Sequence, residues 1–219
     1  MNARVPVGRV TPGATLGVPA EPRGLVVFAH GSGSSRLSPR NRFVAEALNR
    51  RGIATVLADL LTEPEAESRG NVFDVELLAG RLREVARWGL AEVGGALPLG
   101  YFGASTGAAA ALIAAAEEPP VAAIVSRGGR PDLAGAALAK VRAPTLLIVG
   151  GADDVVLELN RQALAALRCR KELAIVPGAT HLFEEPGALE QVAELAGDWF
   201  AATLQSGRAA ASSSAFTSA

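Results

Sequence analysis

The chain has 219 residues, of which 49% are hydrophobic and 20% charged, and its formal net charge at pH 7 is -1. This apolar content supports one sizeable core, and the length suits a single domain better than two. A nearly neutral chain lacks the electrostatic attraction that binds proteins to nucleic acids or to anionic membranes. We therefore expect a small-molecule partner, no nucleic acid and no membrane. The sequence leaves open whether the protein is a monomer or a homodimer.

Three features of the sequence bear on its compartment. Residues 1–24 contain Arg4, Arg9 and several prolines but no continuous apolar run, which is unlike a secretory signal peptide. The longest apolar stretch, residues 108–116, is too short to span a bilayer. The single cysteine, Cys169, cannot form an intramolecular disulfide. These features predict a cytoplasmic protein.

The predicted elements begin with residues 5–10 and 14–18, which Pro12 and Gly13 separate into an antiparallel hairpin. From residue 25 onward, apolar runs of strand length alternate with longer segments of helical periodicity. The predicted strands cover residues 25–29, 54–58, 99–102, 121–125, 145–149 and 172–176. The predicted helices cover residues 39–51, 72–90, 106–116, 131–138, 156–167 and 188–204.

Continuous apolar strands that alternate with amphipathic helices indicate a parallel sheet covered by helices on both faces. We therefore predict one doubly wound α/β domain over residues 1–204. No connection between the predicted elements is long enough to form a separate cap domain. Residues 205–219 are rich in Ser and Ala and are predicted to be a disordered tail.

The motif GASTG at residues 103–107 directly follows a predicted strand and precedes an alanine-rich helix. A nucleophile elbow requires this order of elements, because its serine occupies a strained turn between a strand and a helix that lie close together. Small residues at 104, 107 and 108 permit that close approach. Ser105 is therefore the candidate nucleophile. The alternative is an ordinary helix N-cap serine.

A serine nucleophile needs a base, and the chain has only two histidines. His181 lies in the loop after the last predicted strand, at the carboxyl edge of the sheet toward which the elbow also points. Asp153 follows the strand at 145–149, so the chain order is nucleophile, acid, histidine. Asp154 is then a helix N-terminal charge. Asp132, after the strand at 121–125, is a less favoured acid.

An oxyanion hole in this arrangement takes one backbone N–H from the loop after the first core strand and one from the residue after the nucleophile. Ser32 is the preferred first donor, with Gly31 next, and Thr106 is the second donor. His30 is expected to order this loop through hydrogen bonds and is not the predicted base.

Five segments in this order resemble the dienelactone hydrolase-like branch of the α/β hydrolases, across roughly residues 24–200. They are residues 30–36 (HGSGSSR), 103–107 (GASTG), 126–132 (SRGGRPD), 150–153 (GGAD) and 179–187 (ATHLFEEPG). The resemblance implies an α/β-hydrolase fold with a mostly parallel eight-stranded sheet and no cap domain. It also implies hydrolysis of esters or lactones with no cofactor and no metal.

One residue departs from this family's pattern. Dienelactone hydrolases proper carry cysteine as the nucleophile, whereas position 105 is serine. We therefore predict a serine carboxylesterase that forms an acyl-enzyme on Ser105. Because no lid is predicted, the substrates are expected to be short-chain acyl esters or lactones.

The sequence also has features of two other functions. Gly31 and Gly33 after a core strand, with Asp59 ending the next strand, imitate the start of a dinucleotide-binding oxidoreductase. Arg36 occupies the position of the third glycine, which makes this alternative less favoured. The second alternative is a non-catalytic hydrolase-like binding protein.

Two arginines after the strand at 121–125 have an open role. Arg127 and Arg130 could bind a substrate carboxylate through two parallel hydrogen bonds. The alternative is a structural role, in which they hold loop carbonyls or the carboxylates of Glu184 and Glu185. Arg127 is the candidate substrate-binding residue.

Overall fold

One eight-stranded sheet runs through the computed structural model, which describes residues 1–117 and 120–214 and, in 205–214, the backbone alone. The strands are β1 (Asn2–Arg4), β2 (Gly13–Gly17), β3 (Leu25–Ala29), β4 (Ala54–Ala58), β5 (Leu99–Ala104), β6 (Ala123–Arg127), β7 (Thr145–Gly150) and β8 (Lys171–Val176). Their spatial order is β1-β2-β4-β3-β5-β6-β7-β8. β2 is antiparallel to β1 and β4, and the strands from β3 to β8 are parallel.

Helices cover both faces of this sheet. They are α1 (Pro39–Arg50), α2 (Glu63–Ala66), α3 (Arg69–Phe73), α4 (Val75–Glu92), α5 (Thr106–Glu117), α6 (Asp154–Ala166) and α7 (Ala188–Ser214), with a 3-10 segment at Pro131–Lys140. α1 and α7 pack together on one face, whereas α4 and α5 pack together on the other. The predicted doubly wound α/β domain is confirmed.

The residues of β3 show why its sequence is continuously apolar. All five are buried, with Val26 and Phe28 in the core under α1 and α7, and Val27 in the core under α4 and α5. Successive side chains of a strand point to opposite faces, so a strand covered on both faces needs apolar residues throughout. The same arrangement brings the carboxyl ends of the parallel strands to one edge, where the candidate site residues lie.

The first strand differs from the sequence prediction. β1 is Asn2–Arg4, whereas the prediction placed a strand at residues 5–10. Val7 and Val10 form an isolated antiparallel bridge around a tight turn, and Val5 and Val7 are buried. These valines therefore fill the core from a turn, and their apolar character was misread as a strand.

The predicted helix at residues 72–90 is also corrected. α4 begins at Val75, because the side chain of Asp74 accepts a hydrogen bond from the N–H of Leu77 and caps the helix. The preceding residues form the two short helices α2 and α3, which the sequence analysis did not predict.

The last helix is α7, whose backbone continues to Ser214, beyond the predicted end at Leu204. The disordered tail was predicted for residues 205–219. Its residues 215–219 lie outside the described residues, so the tail stays a prediction. No helix in the described ranges combines the length and the apolar character needed to cross a membrane.

Candidate active site

Ser105 connects β5 to α5 in a left-handed backbone conformation, with φ of 51°. A non-glycine residue rarely adopts such a φ, and the strain is typical of functional turns. Hydrogen bonds hold the turn: the N–H of Ser105 donates to Arg127 O at 3.3 Å, and its carbonyl accepts from the N–H of Arg130 at 3.0 Å. The turn predicted at GASTG is therefore present, and its neighbours in the sheet fix its conformation.

The two glycines of this turn are required by close backbone contacts. A Cβ at Gly107 would overlap the carbonyl oxygens of Ala29 and His30, and a Cβ at Gly103 would overlap the backbone of Ala108. The helix can approach the strands only because both side chains are absent. The prediction that the turn needs very small residues is confirmed.

His181 and Asp153 lie together at the same edge of the sheet. Nδ1 of His181 is 2.7 Å from Oδ2 of Asp153. The Asp153 side chain is mostly buried, at 15% exposed, whereas that of His181 is 39% exposed. The carboxylate therefore accepts the Nδ1 proton, which fixes the imidazole tautomer and leaves Nε2 free to act as a base.

The position of Asp153 explains why it is the partner of His181. It is the N-cap residue of α6, yet its side chain makes no capping hydrogen bond because it is turned to His181. Asp154 is the exposed first residue of α6, consistent with its expected role as a helix N-terminal charge. Asp132 forms a two-point pair with Arg130, at 2.9 and 2.8 Å, whereas the carboxylate that pairs with His181 is that of Asp153.

The loop after β3 packs against Ser105, the candidate nucleophile. A Cβ at Gly31 would lie 2.9 Å from the Cβ of Ser105, so only glycine fits there. The N–H of Ser32 donates a hydrogen bond to Oγ1 of Thr106 at 2.9 Å. The two predicted oxyanion donors, Ser32 and Thr106, are therefore neighbours beside Ser105.

His30 joins this loop by a hydrogen bond to the connection that follows β4. Its Nε2 accepts a hydrogen bond from the N–H of Leu60 at 3.1 Å, so the ring proton is on Nδ1 and is donated to the carbonyl of Gly31 at 3.0 Å. Burial lowers the pKa of His30, which keeps the imidazole neutral. The expected ordering role of His30 is confirmed by these contacts.

No side-chain hydrogen bond joins Ser105 to His181 among the described residues. Both nevertheless lie near the end of β6: the N–H of Ser105 donates to Arg127 O, and a Cβ at Gly128 would lie 3.6 Å from Nδ1 of His181. Hydrogen bonds between catalytic groups are often long in the absence of substrate and shorten when it binds.

Arg127 lies in the interior and not in a solvent-facing pocket. The residue is 6% exposed, and its Nη2 donates to Oδ1 of Asn41 at 3.0 Å. Its guanidinium carbon is 5.9 Å from the ring centre of Phe183, which is buried two residues after His181. Desolvation lowers the pKa of Arg127 to about 10, and the positive charge of Arg40 adds to this effect. These contacts favour the structural alternative over binding of a substrate carboxylate.

The partners of Arg127 were not found by sequence reasoning. Asn41 is in α1, and Phe183 lies in the segment 179–187 after the last strand, where no local pattern indicates a contact with Arg127. Phe183 has φ of 56° and, with Ser105, is one of two non-glycine residues with positive φ in the described part of the chain. Such strain in a buried aromatic residue is visible only in the structure.

The sheet order, the strained serine turn after β5 and the histidine after β8 define an α/β hydrolase. No protein-family model matches the chain. It is similar to the crystal structure of a dienelactone hydrolase from Anabaena variabilis, with 54% sequence identity and a TM-score of 0.90, over 93% of this chain and 97% of that one. The protein belongs to the dienelactone hydrolase-like branch of the α/β hydrolases, as the sequence motifs predicted.

The chain is also similar to a second solved structure and to a curated protein. A serine hydrolase without a lid from Xanthomonas campestris shares the fold at 21% identity and a TM-score of 0.77, over 93% of this chain and 94% of that one. A Mycobacterium tuberculosis protein named "Putative phosphoribosyl transferase" is 62% identical over 201 residues, which are 91% of this chain and 45% of that protein. The chain thus spans less than half the length of the curated relatives that it matches.

Proposed function

We propose that the protein is a serine carboxylesterase that hydrolyses small-molecule esters or lactones through an acyl-enzyme on Ser105. The observation that carries the proposal is the 2.7 Å contact between His181 and Asp153. It lies at the sheet edge where the strained turn presents Ser105. The mostly buried Asp153 side chain contacts His181 instead of capping α6, which is not expected for a surface histidine without a role.

In the proposed first half-reaction, Oγ of Ser105 attacks the ester carbonyl carbon while His181 Nε2 takes the hydroxyl proton. The tetrahedral intermediate then expels the alcohol, which leaves with that proton, and the acyl group stays on Ser105. Water attacks the acyl-enzyme in the second half-reaction, again with His181 as base. The acid is released and the serine hydroxyl is restored. Asp153 stabilises the imidazolium formed in each half.

The negative oxygen of the tetrahedral intermediates requires hydrogen-bond donors. We assign these to the backbone N–H groups of Ser32 and Thr106. The N–H of Ser32 donates to Oγ1 of Thr106 without substrate. In the proposed cycle the threonine hydroxyl positions this N–H, which also donates to the oxyanion.

Short acyl chains are the proposed acyl specificity. A methylene contributes about 0.8 kcal/mol to binding only when it is removed from water. No cap domain covers Ser105 in the described residues, and arginine side chains line the cleft beside Gly31. The later carbons of a long acyl chain would therefore remain in water or desolvate charged groups.

The experiment is a series of p-nitrophenyl esters from acetate to palmitate, together with labelling by a fluorophosphonate probe. We expect kcat/KM to be highest for acetyl or butyryl esters and the probe to label Ser105. Ser105→Ala should abolish both signals, whereas Ser68→Ala, at an exposed serine in the connection between α2 and α3, should retain both.

Two results would count against the proposal. A maximum at palmitate would refute the short-chain specificity and leave the nucleophile in place. A folded wild-type protein that neither hydrolyses any ester nor reacts with the probe would favour the non-catalytic binding protein.

A further inference from the structure

A cleft of about 1330 Å³ is lined in part by the loop after β3; Ser105 and His181 do not belong to its lining. Residues 30–40 form one wall, residues 61–73 with α2 and α3 form the other, and the β1–β2 hairpin contributes Arg4. Gly31 belongs to this lining and is also the residue that packs directly against Ser105. A substrate whose ester carbonyl lies at Ser105 can therefore extend past Gly31 into the cleft.

The charged side chains that line this cleft are predominantly positive. They are Arg4, Arg36, Arg40, Arg69, Asp59 and Glu63. Arg36 is neutralised by Asp59, at 2.6 Å, and Arg40 is paired with Glu184, at 3.2 Å. Arg4, Arg69 and Glu63 form no ion pair among the described residues, so the unpaired charges of the cleft are two positive and one negative.

Apolar side chains in the same cleft are unusually exposed. Leu37 is 56% exposed on one wall and Phe73 is 49% exposed on the other. The guanidinium carbon of Arg69 lies 5.9 Å from the ring centre of Phe73. A ligand that joins an apolar body to an anionic group would cover Phe73 and also neutralise the arginine above it.

Internal ion pairs hold both walls in place. Arg36 donates to Asp59 on one side, and on the other Arg81 donates to the carbonyl of Leu60 at 2.8 Å and to Glu65 at 2.7 Å. The hydrogen bond from Arg81 lowers the pKa of Glu65 to about 2, so this pair persists through most of the acidic range. A cleft fixed in this way loses little conformational freedom on binding a ligand.

We infer that the cleft binds a phosphate monoester carried by the substrate, on the half of the ester that does not form the acyl-enzyme. This inference rests on the proposed esterase function. A phosphate monoester carries about -1.5 to -2 charges and three strong acceptor oxygens at pH 7, so one such group can accept hydrogen bonds from both Arg4 and Arg69, whereas a carboxylate offers two oxygens and a single charge. Arginine also binds phosphate oxygens through paired N–H donors.

The first measurement is calorimetric binding of phenyl phosphate, benzoate and benzyl alcohol, which share an aromatic ring and differ in charge. Phenyl phosphate should bind at least tenfold more tightly than benzoate at low ionic strength, and benzyl alcohol should not bind measurably. Arg69→Gln and Arg4→Gln should each weaken phenyl phosphate binding by about fivefold or more. The matched control is Arg9→Gln, at an exposed arginine of the same hairpin region outside the cleft, which should leave binding unchanged.

The second measurement links the cleft to the nucleophile. Phenyl phosphate should inhibit hydrolysis of p-nitrophenyl butyrate competitively, because both occupy the space beside Gly31. Equal affinity for benzoate and phenyl phosphate, or unchanged binding in both cleft variants, would overturn the phosphate assignment. Binding of phenyl phosphate without competitive inhibition would show that the cleft does not hold part of the substrate, and it would overturn the inference. If phenyl phosphate binds as expected and no ester is hydrolysed, the esterase proposal fails while the phosphate site stands.

Discussion

The hydroxyl of Thr106 accepts a hydrogen bond from the backbone N–H of Ser32 at 2.9 Å, across 74 positions of the chain. Thr106 is buried, so its hydroxyl has little contact with water. The bond provides an acceptor for the N–H of Ser32 next to Ser105, and it sets the distance between the two proposed oxyanion donors.

Thr106→Val tests this relationship, because valine keeps the backbone N–H and the branched shape but removes the acceptor. We expect kcat to fall about tenfold or more, with little change in KM, since the donor positions matter most in the transition state. Thr106→Ser keeps the hydroxyl and should retain most of the activity. Steady-state kinetics on p-nitrophenyl butyrate measure both. Equal rates in the valine variant and the wild type would remove the hydroxyl from the oxyanion site.

Asp153 and Asp154 are adjacent but should differ greatly in importance. Asp153→Asn should reduce kcat/KM by roughly a thousandfold or more, because the amide cannot hold the catalytic tautomer of His181 in the same way. Asp154→Asn should change it by less than about threefold, since this exposed side chain interacts only with the helix dipole. The same ester assay ranks the two variants, and the reverse ranking would assign the acid to Asp154.

The two histidines should give opposite phenotypes. His30→Ala should destabilise the fold by about 2–4 kcal/mol, because it leaves Leu60 N–H and the Gly31 carbonyl without their partner. His181→Ala should leave the melting temperature nearly unchanged and remove the activity. Urea unfolding and ester hydrolysis of both variants decide the assignment, and equal loss of stability in both would contradict it.

The stability should also depend on pH through His30. Burial lowers its pKa in the folded protein below the unfolded value of about 6.5. The unfolded chain therefore takes up a proton first, so this contribution is fully present above about pH 6.5 and is lost as the pH falls toward the lowered value. The free energy of unfolding of His30→Ala should fall less steeply than that of the wild type below this pH. Parallel curves would show that His30 does not contribute.

Gly107 should be intolerant of a methyl group. Gly107→Ala should cost about 3 kcal/mol or more, because the new Cβ overlaps backbone oxygens that cannot move without disturbing β3. The control is Gly80→Ala in α4, where the nearest atom is a flexible arginine nitrogen at 3.8 Å. It should stabilise the protein by about 0.5–1 kcal/mol. Chemical unfolding measures both, and a stable Gly107→Ala protein would mean that α5 can shift away from the sheet.

Removing Asn41 should destabilise the protein more than removing the buried charge of Arg127. Asn41→Leu should destabilise more than Arg127→Met, because it leaves a desolvated guanidinium without a hydrogen-bond partner. Arg127→Met should also leave unchanged the ratio of kcat/KM between a carboxylate-bearing ester and its neutral analogue. Thermal unfolding and this ratio are the measurements. A selective loss of the carboxylate-bearing substrate would restore the substrate-binding role of Arg127.

The parts of the fold that the sequence predicted are those with strong local signals. The buried strands are continuous apolar runs, and the turn at Ser105 requires small residues that are visible in the sequence. By contrast, α2 and α3 contain no fully buried residue, so they leave no apolar periodicity to detect. The contact of Arg127 with Asn41 spans 86 positions, and no local pattern indicates such a partner.

The two walls of the cleft meet at Asp59 and Leu60. Asp59 accepts a hydrogen bond from Arg36. The N–H of Leu60 donates to His30, and the carbonyl of Leu60 accepts from Arg81. Residues 66–73 lie beyond these anchors and carry the exposed Arg69 and Phe73. Their length and side chains can therefore change without moving the loop beside Ser105. If the proposed function holds, replacing residues 66–73 would change which substrates bind and would leave Ser105, His181 and Asp153 in place.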